Sequence, residues 1–168
     1  MTIQLGQAAP DFEQDSSHGR IRFPDWLGES WGLLFSHPRD YTPVCTTELG
    51  EAARLKPEFD RRGVNMVHPQ ADPSVTVRAV FVIDPAKKVR LMLIYPPSAG
   101  RSFHEILRVI DSLQPTDSHK VATPVNWQPG DRAIIAAAMS DEGAKARFPQ
   151  GWEAQTPYLR YVELPGKA

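Results

Sequence analysis

The hydrophobic pattern of the first two thirds of the chain predicts strands interspersed with helices. The almost wholly apolar run 31–36 predicts a buried strand, and residues 64–67 predict a short further strand. Residues 75–83 are rich in β-branched side chains, and residues 89–95 follow them after an Asp-Pro turn. We therefore interpret 75–95 as a β-hairpin.

Two segments carry apolar residues at helical spacing. The first begins near Cys45, contains Pro57 as a potential kink and closes at Gly63. Its apolar side consists of Leu49, Ala52, Ala53, Leu55 and Phe59. The second begins at a capping box formed by Ser102 and Glu105. Its apolar side consists of Phe103, Ile106, Leu107, Ile110 and Leu113. Strands mixed with two helices predict an α/β fold.

Residues 114–168 differ from the rest of the chain. They hold six prolines, at 115, 124, 129, 149, 157 and 165, and one short helix candidate over 140–148. We interpret this part as an extended arm or a small subdomain. The predicted division is a core of residues 1–113 and a C-terminal arm of residues 114–168.

Composition excludes several classes of protein. The chain of 168 residues has a net charge of -1, so nothing in it attracts nucleic acid. It has no apolar run long enough for a membrane span, and no secretory signal is visible at its start. A single cysteine excludes an intrachain disulfide and fits a reducing compartment, so we expect a cytoplasmic protein.

That cysteine, Cys45, lies in a setting that favours a reactive thiolate. It stands near a predicted helix start, where free N–H groups and the helix dipole stabilise an anion. Thr42 can donate a hydrogen bond to the thiolate or to a peroxide, and Pro38 can shield the thiolate from water. A lone cysteine is more often a small buried core residue, and the spacing of the proline, threonine and cysteine argues against that alternative.

The segment Pro38-Arg-Asp-Tyr-Thr42-Pro-Val-Cys45 resembles the active-site pattern of the peroxiredoxins, in particular their one-cysteine subgroup. Residues 75–88, 95–110 and 121–130 are similar to later segments of that family. The resemblance implies a thioredoxin-like α/β fold with a central mixed sheet flanked by helices and a C-terminal extension.

The resemblance also implies an activity. It makes Cys45 the peroxidatic residue, with Thr42 and Pro38 shaping its pocket and Arg78 stabilising the thiolate and the transition state. The supporting residues are His37, Glu48 and Arg101. Hydrogen peroxide and organic hydroperoxides are the expected substrates, without a metal or other cofactor. An external thiol, such as glutathione or a thiol protein, must then reduce the sulfenic acid.

The chain departs from this family between Val67 and Val75. Relatives continue there through a helix, a strand and another helix, so a segment on the order of 30 residues is absent. In a thioredoxin-like sheet, strand 31–36 separates strand 64–67 from strand 75–83 by roughly 10 Å. Seven linker residues reach roughly 23 Å, so the sheet can still close, with lower stability. The alternative function is a weakly active or inactive relative that serves as a redox-sensitive interaction module.

A second motif, Gly28-Glu-Ser30-Trp-Gly32, fits the Gly-x-Ser-x-Gly pattern of serine hydrolases. That pattern requires a strand before the serine and a helix after it, whereas Ser30 precedes the predicted strand. Some one-cysteine peroxiredoxins carry a histidine a few residues earlier as the base, and Pro24 stands in that stretch here. We therefore favour the peroxidase over the hydrolase.

The expected assembly is a homodimer. The C-terminal arm of the family commonly helps to build one. In this chain an isolated arm would leave large apolar residues with little to pack against, namely Trp127, Ile134, Ile135 and Trp152.

Overall fold

A computed structural model describes residues 3–69 and 77–165. The chain divides into two compact units, Met1–His104 and Glu105–Ala168. The boundary that the sequence placed after residue 113 falls inside a helix, Phe103–His119, which begins in the first unit and continues through Pro115 in the second.

The first unit is built on a four-stranded mixed sheet. Its elements are β1 (Glu13–Ser16), β2 (Gly19–Arg22), α1 (Phe23–Leu27), β3 (Trp31–Phe35), α2 (Pro43–Arg61), β4 (Val64–Val67), β5 (Arg78–Ile83) and β6 (Val89–Tyr95). The strand order is β4-β3-β5-β6. Strand β3 runs parallel to β4 and antiparallel to β5, and β5 and β6 form the predicted hairpin. The expected thioredoxin-like placement of β3 is confirmed.

Alternation along the strands sorts side chains onto two faces of this sheet. Leu33, Phe35, Val80 and Val82 share one fully buried face, to which the register also assigns Arg78. The opposite face is approached by α1, and a Cβ on Gly32 would lie 2.7 Å from Leu27 Cδ1. Glycine at that position therefore lets α1 come close to β3.

Helix α2 begins as the sequence predicts. Thr42 is its N-cap residue in an extended conformation, and Pro43 occupies the first helical position, which tolerates the missing N–H. The helix continues through Pro57 to Arg61. Gly63 follows with φ +65°, a conformation that glycine adopts without strain, and it ends the helix as expected.

The start of strand β5 differs from its predicted bound. The strand begins at Arg78, and Val77 before it is an exposed bend. Residues 70–76, which contain most of the predicted linker and the predicted strand start at Val75, lie outside the described residues. Among the described residues β4 is an edge strand of the sheet.

The second unit holds more regular structure than the sequence predicted. Besides most of α3 (Phe103–His119), it contains β7 (Val121–Ala122), β8 (Ala133–Ile135), α4 (Asp141–Arg147), β9 (Glu153–Thr156) and β10 (Leu159–Val162). The four strands form one antiparallel sheet in the order β7-β8-β10-β9. Short helix α4 was expected; the sheet was missed because its strands are two to four residues long and separated by prolines.

This unit has a core of its own, which corrects the packing argument made from the sequence. Its buried cluster consists of Val121, Ala133, Ile135, Ala144, Phe148 and Val162, with Trp152 packed against it. Trp127 is also buried, and its indole N–H donates to the carbonyl of Asp131 at 3.0 Å. These side chains are covered without a second copy of the chain.

None of the described helices is long and apolar enough to cross a membrane.

Candidate active site

The segment between β3 and α2 brings three of the predicted site residues to one end of the buried sheet face. His37 is buried, Pro38 is half-buried, and Thr42 ends the segment as the N-cap of α2. Tyr41 has φ +57°, which few residues other than glycine adopt, and its side chain is fully exposed. This sharp turn delivers the chain into α2 with Cys45 in the first helical turn.

Cys45 is buried beside Arg78. Its side chain is 0% exposed, and Arg78 Nη1 on β5 lies 3.3 Å from Sγ. Burial acts to raise the pKa of the Cys45 thiol. Hydrogen bonds from the Thr42 hydroxyl and the Arg39 backbone, followed by the hydrogen bond and charge of Arg78, outweigh burial. The pKa of this thiol therefore lies below its usual range, and the thiolate is favoured.

The hydroxyl of Thr42 has two possible acceptors. In the structure it donates to the carbonyl oxygen of Arg39 at 3.1 Å. Because a hydroxyl carries one proton and rotates freely, the same group can turn to donate to the Cys45 thiolate. Thr42 therefore provides a donor that can follow charge as it moves between sulfur and a bound peroxide.

Glu48 joins two buried arginines. Its Oε2 accepts from Arg78 Nη1 at 2.8 Å and from Arg101 Nη2 at 2.7 Å. Its Oε1 accepts from the backbone N–H and Nε of Arg101 at 2.7 and 3.0 Å. Burial acts to raise the pKa of the Glu48 carboxyl, but the hydrogen bonds and charge of Arg101, then the charge of Arg78, hold it below its usual range.

The arginines are themselves fixed by main-chain carbonyls. Arg78 Nε donates to the carbonyl of Pro97 at 3.0 Å, and Arg101 Nη1 donates to the carbonyl of Ala79 at 2.9 Å. The guanidinium of Arg101 also lies over the ring of Phe35, 5.3 Å from its centroid. The donors that face Cys45 are thus held in one geometry before any substrate arrives.

The charges of this cluster balance only when the cysteine is ionised. Two guanidinium groups and one carboxylate leave a single positive charge in a buried setting. An unpaired buried charge is costly, and a thiolate on Cys45 cancels it. The cluster therefore stabilises an anionic sulfur next to a donor that can also meet negative charge on a departing oxygen.

Sequence comparison places this geometry in a known family. The AhpC/TSA family model matches residues 5–74, and the model for the C-terminal domain of 1-Cys peroxiredoxin matches residues 112–151. The 1-Cys peroxiredoxin of Dictyostelium discoideum is 40% identical over 209 aligned positions, which cover 98% of this chain and 87% of that protein. The chain belongs to the one-cysteine peroxiredoxins. The expectation drawn from the cysteine motif is confirmed.

Solved structures agree with this assignment. A yeast mitochondrial 1-Cys peroxiredoxin, studied for thiol resolution by glutathione and thioredoxin systems, matches with a TM-score of 0.89 and 38% identity over 97% of this chain and 100% of the other. A cysteine-to-serine mutant of Peroxiredoxin 6 from Arenicola marina matches with a TM-score of 0.88 and 39% identity over 99% of this chain and 100% of the other. The thioredoxin-like fold is therefore shown.

The alignment length also bears on the missing segment. The Dictyostelium alignment spans 209 positions, whereas this peroxiredoxin has 168 residues. Relatives thus carry residues that this chain lacks, in keeping with the shortened connection inferred between Val67 and Val75.

The third supporting residue, His37, occupies a different place from Glu48 and Arg101. Its Nε2 lies 2.7 Å from Asp40 Oδ1, and its ring contacts His68. Its buried Nδ1 has no hydrogen-bond partner. The histidine therefore supports the loop of the peroxiredoxin motif rather than the arginine cluster.

Sequence reasoning missed Asp40, His68 and the carbonyl of Pro97 as contributors. Asp40 lies inside the motif, three residues after His37, and that spacing in a tight loop was a usable signal. His68 lies 31 residues from its partner His37, and no local pattern joins the two. A main-chain carbonyl leaves no trace in residue type.

Ser30 of the competing motif lies before strand β3, with its N–H bonded to the carbonyl of Leu27 at the end of α1. The order helix, serine, strand is the reverse of what a serine nucleophile elbow requires.

In the described part of the chain, no group of three or more histidine, cysteine, aspartate or glutamate side chains is arranged to hold a metal ion.

Proposed function

We propose that this chain is a thiol-dependent peroxidase that reduces hydrogen peroxide and organic hydroperoxides at Cys45. The observation that carries this proposal is the 3.3 Å contact between Arg78 Nη1 and the buried sulfur, inside a cluster whose charge is balanced by a thiolate. Membership in the one-cysteine peroxiredoxins supports it.

The first step is a displacement on oxygen. The Cys45 thiolate attacks one peroxide oxygen, the S–O bond forms as the O–O bond breaks, and the departing oxygen leaves as water or an alcohol after taking up the proton of the peroxide. The sulfur is oxidised to a sulfenate, which takes up a proton from solvent to become the sulfenic acid, and the peroxide is reduced. Arg78 and the Thr42 hydroxyl are the donors that can meet the charge that develops on oxygen.

The second step needs a thiol from outside the chain, because the sequence contains one cysteine. A first thiol displaces water from the sulfenic acid to form a mixed disulfide, and a second thiol releases Cys45 and departs as the disulfide. Glutathione or a thioredoxin-type protein is the proposed reductant. The yeast relative is described with both systems.

A homodimer formed along β6 is the proposed assembly. This strand is seven residues long. The backbone of Val89 at its start bonds to Gly6 and Gln7, and beyond that residue its outer edge has no strand partner among the described residues. Leu91, Met92 and Leu93 are half-buried, and Ile94 is 57% exposed. A long apolar edge favours pairing with an identical strand. Sedimentation should show a dimer that Ile94→Lys converts to a monomer; a monomeric parent protein would refute this assembly.

The proposed location is the cytoplasm. A single reactive thiol that depends on an external thiol reductant functions in a compartment where such thiols are kept reduced. Cell fractionation that places the protein in an oxidising compartment would contradict this.

Rapid mixing with hydrogen peroxide tests the activity. Trapping of the sulfenic acid should show fast, stoichiometric oxidation of Cys45, none in Cys45→Ser, and turnover on adding glutathione or thioredoxin. Oxidation no faster than that of a free thiol would refute the peroxidase.

A second candidate is a weakly active or inactive relative acting as a redox-sensitive interaction module. The shortened chain, 168 residues against 209 aligned positions, is the observation that favours it. Slow oxidation of Cys45 combined with a partner that binds one redox state and not the other would select it.

A further inference from the structure

His68 lies directly after β4. Its ring meets the His37 ring edge to face, with centroids 4.9 Å apart and an interplanar angle of 82°. It also contacts Phe35, whose centroid lies 5.4 Å away. Its Nδ1 lies 3.2 Å from the carbonyl of Pro69, and its own carbonyl accepts from the N–H of Ser17 at 3.1 Å. The ring is therefore held on several sides.

His37 is the link from His68 to the active-site loop. Its side chain is 2% exposed, and its Nε2 lies 2.7 Å from Asp40 Oδ1, so the two residues close the loop that runs from β3 to α2. This loop presents the Arg39 backbone and the Thr42 hydroxyl that lower the pKa of the Cys45 thiol. A shift of the His37 ring would move both donors.

We propose that His68 is a positioning residue for peroxide reduction: its uncharged ring holds His37 against Asp40 and so keeps the Cys45 loop in its reactive arrangement. This inference rests on the proposed peroxidase function. It assigns His68 no contact with substrate.

Charge decides whether that arrangement persists. Burial and the neighbouring His37 and His18 lower the pKa of His68, while the carbonyl of Pro69 and the charge of Asp40 act in the opposite direction. The net pKa lies below the usual value of about 6.5, so the ring is neutral at pH 7. A His68 ring that has left this site binds protons more tightly than the packed ring does. Acidification below about pH 6.5 therefore favours the state in which the ring no longer holds the loop that runs from β3 to α2.

The test compares two variants of His68 by rapid mixing with hydrogen peroxide between pH 5 and pH 8. Absorbance of the thiolate near 240 nm measures ionisation of Cys45 in the same samples. In the parent protein, the oxidation rate should decrease below pH 6 by a larger factor than the fraction of Cys45 that is ionised. His68→Phe keeps an uncharged ring, so it should oxidise near the parent rate at pH 7.5 and lose this additional fall.

His68→Lys places a charge at the same position at every pH. It should be slower at pH 7.5 by about tenfold or more, because small displacements of donors have large effects on rate. His18→Phe is the matched control. The charge of His18 is the weakest of the influences on the pKa of His68, so this variant should leave the rate at pH 7.5 unchanged and should keep most of the fall below pH 6. His68→Gln is neutral but has no ring, so it should be slower than His68→Phe at pH 7.5 and should likewise lose the additional fall below pH 6; it serves if the phenylalanine variant does not fold.

Three results would overturn the inference. The first is an oxidation rate in the parent protein that follows the fraction of ionised Cys45 at every pH. The second is a decrease of the rate below pH 6 that is unchanged in His68→Phe and His68→Gln. The third is a parent-like rate in folded His68→Lys. A parent protein whose Cys45 reacts no faster than a free thiol at any pH would instead refute the proposed function, and is distinguished by the absence of any fast phase.

Discussion

Each of the two units buries arginine, and the two settings differ in charge. In the first unit, Arg78 and Arg101 share one carboxylate, Glu48, and the remaining positive charge faces Cys45. In the second unit, Arg160 is 5% exposed and pairs with Asp141 at 2.7 Å.

The arginine of the second unit has its charge satisfied locally. Its Nη2 donates to the carbonyls of Ala136 and Met139 at 3.3 and 2.7 Å, and its guanidinium lies 5.9 Å from the centroid of the Trp152 ring. These bonds connect β10 to the turn before α4. A buried arginine therefore does not by itself mark a reactive site; a surplus of buried positive charge next to an ionisable thiol does.

The largest effect is expected from Arg78→Gln. Removing the donor at 3.3 Å from the sulfur should slow oxidation of Cys45 by about 10²- to 10³-fold, the range for loss of one donor to a developing oxyanion. Stopped-flow measurement with hydrogen peroxide provides the rate. Arg160→Gln is the matched control and should leave it unchanged; an equal loss in both variants would remove the distinction between the two arginine settings.

Glu48→Gln should separate reactivity from stability. It leaves two guanidinium groups without their carboxylate, so the free energy of unfolding should drop by about 3 kcal/mol. The same surplus charge should lower the pKa of Cys45 further. Denaturant unfolding and thiolate absorbance measure the two quantities. Glu51→Gln on the exposed side of α2 is the control and should leave the free energy of unfolding nearly unchanged. A Glu48→Gln variant as stable as the parent protein would contradict the ion cluster.

Arg160→Gln should destabilise the second unit by about 1–3 kcal/mol, because two carbonyls and Asp141 lose a buried donor. Chemical unfolding followed by tryptophan fluorescence is suited to this, since Trp152 lies beside the guanidinium. Normal stability in this variant would show that the contacts of Arg160 are dispensable.

A smaller effect concerns pH. The folded pKa of Cys45 is lowered, so its thiolate contributes stability that is complete above the unfolded thiol pKa of about 8.5 and is lost as the pH falls through the folded value. The stability of the parent protein relative to Cys45→Ser should therefore increase as the pH is raised towards 8.5. A difference that is constant with pH would mean that the thiol is not ionised preferentially in the folded state.

The smallest effect is expected at Ser30. Ser30→Ala should leave peroxide reduction unchanged, because the serine lies outside the arginine cluster and before β3. Hydrolysis of a phospholipid ester by the parent protein that disappears in this variant would restore the hydrolase interpretation.

Local patterns predicted the central elements of the first unit. The apolar run of β3, the β-branched hairpin and the Thr-Pro start of α2 are short-range signals, and each of these elements lies within a few residues of its predicted bounds, whereas β1, β2 and α1 were not predicted. The sheet of the second unit was missed because two-residue and three-residue strands carry too few positions for alternation to be recognised. Its own core also removed the argument that this region needs a partner to bury its tryptophans.

The sequence by itself determined the reactive residue and its immediate loop. The spacing of Pro38, Thr42 and Cys45 is a property of contiguous chain, and the helix that begins at Pro43 needs no distant contact to place the sulfur in its first turn. Residue types and local geometry were sufficient for that much.

Tertiary structure decided the charge around the sulfur. Arg78 lies 33 residues from Cys45, and Arg101 lies 53 residues from Glu48. That both guanidinium groups meet one carboxylate depends on strand register and burial, which bring distant segments together in a medium where unpaired charge is costly. The contact of His68 with His37 has the same origin, since it requires β4 and β3 to lie side by side.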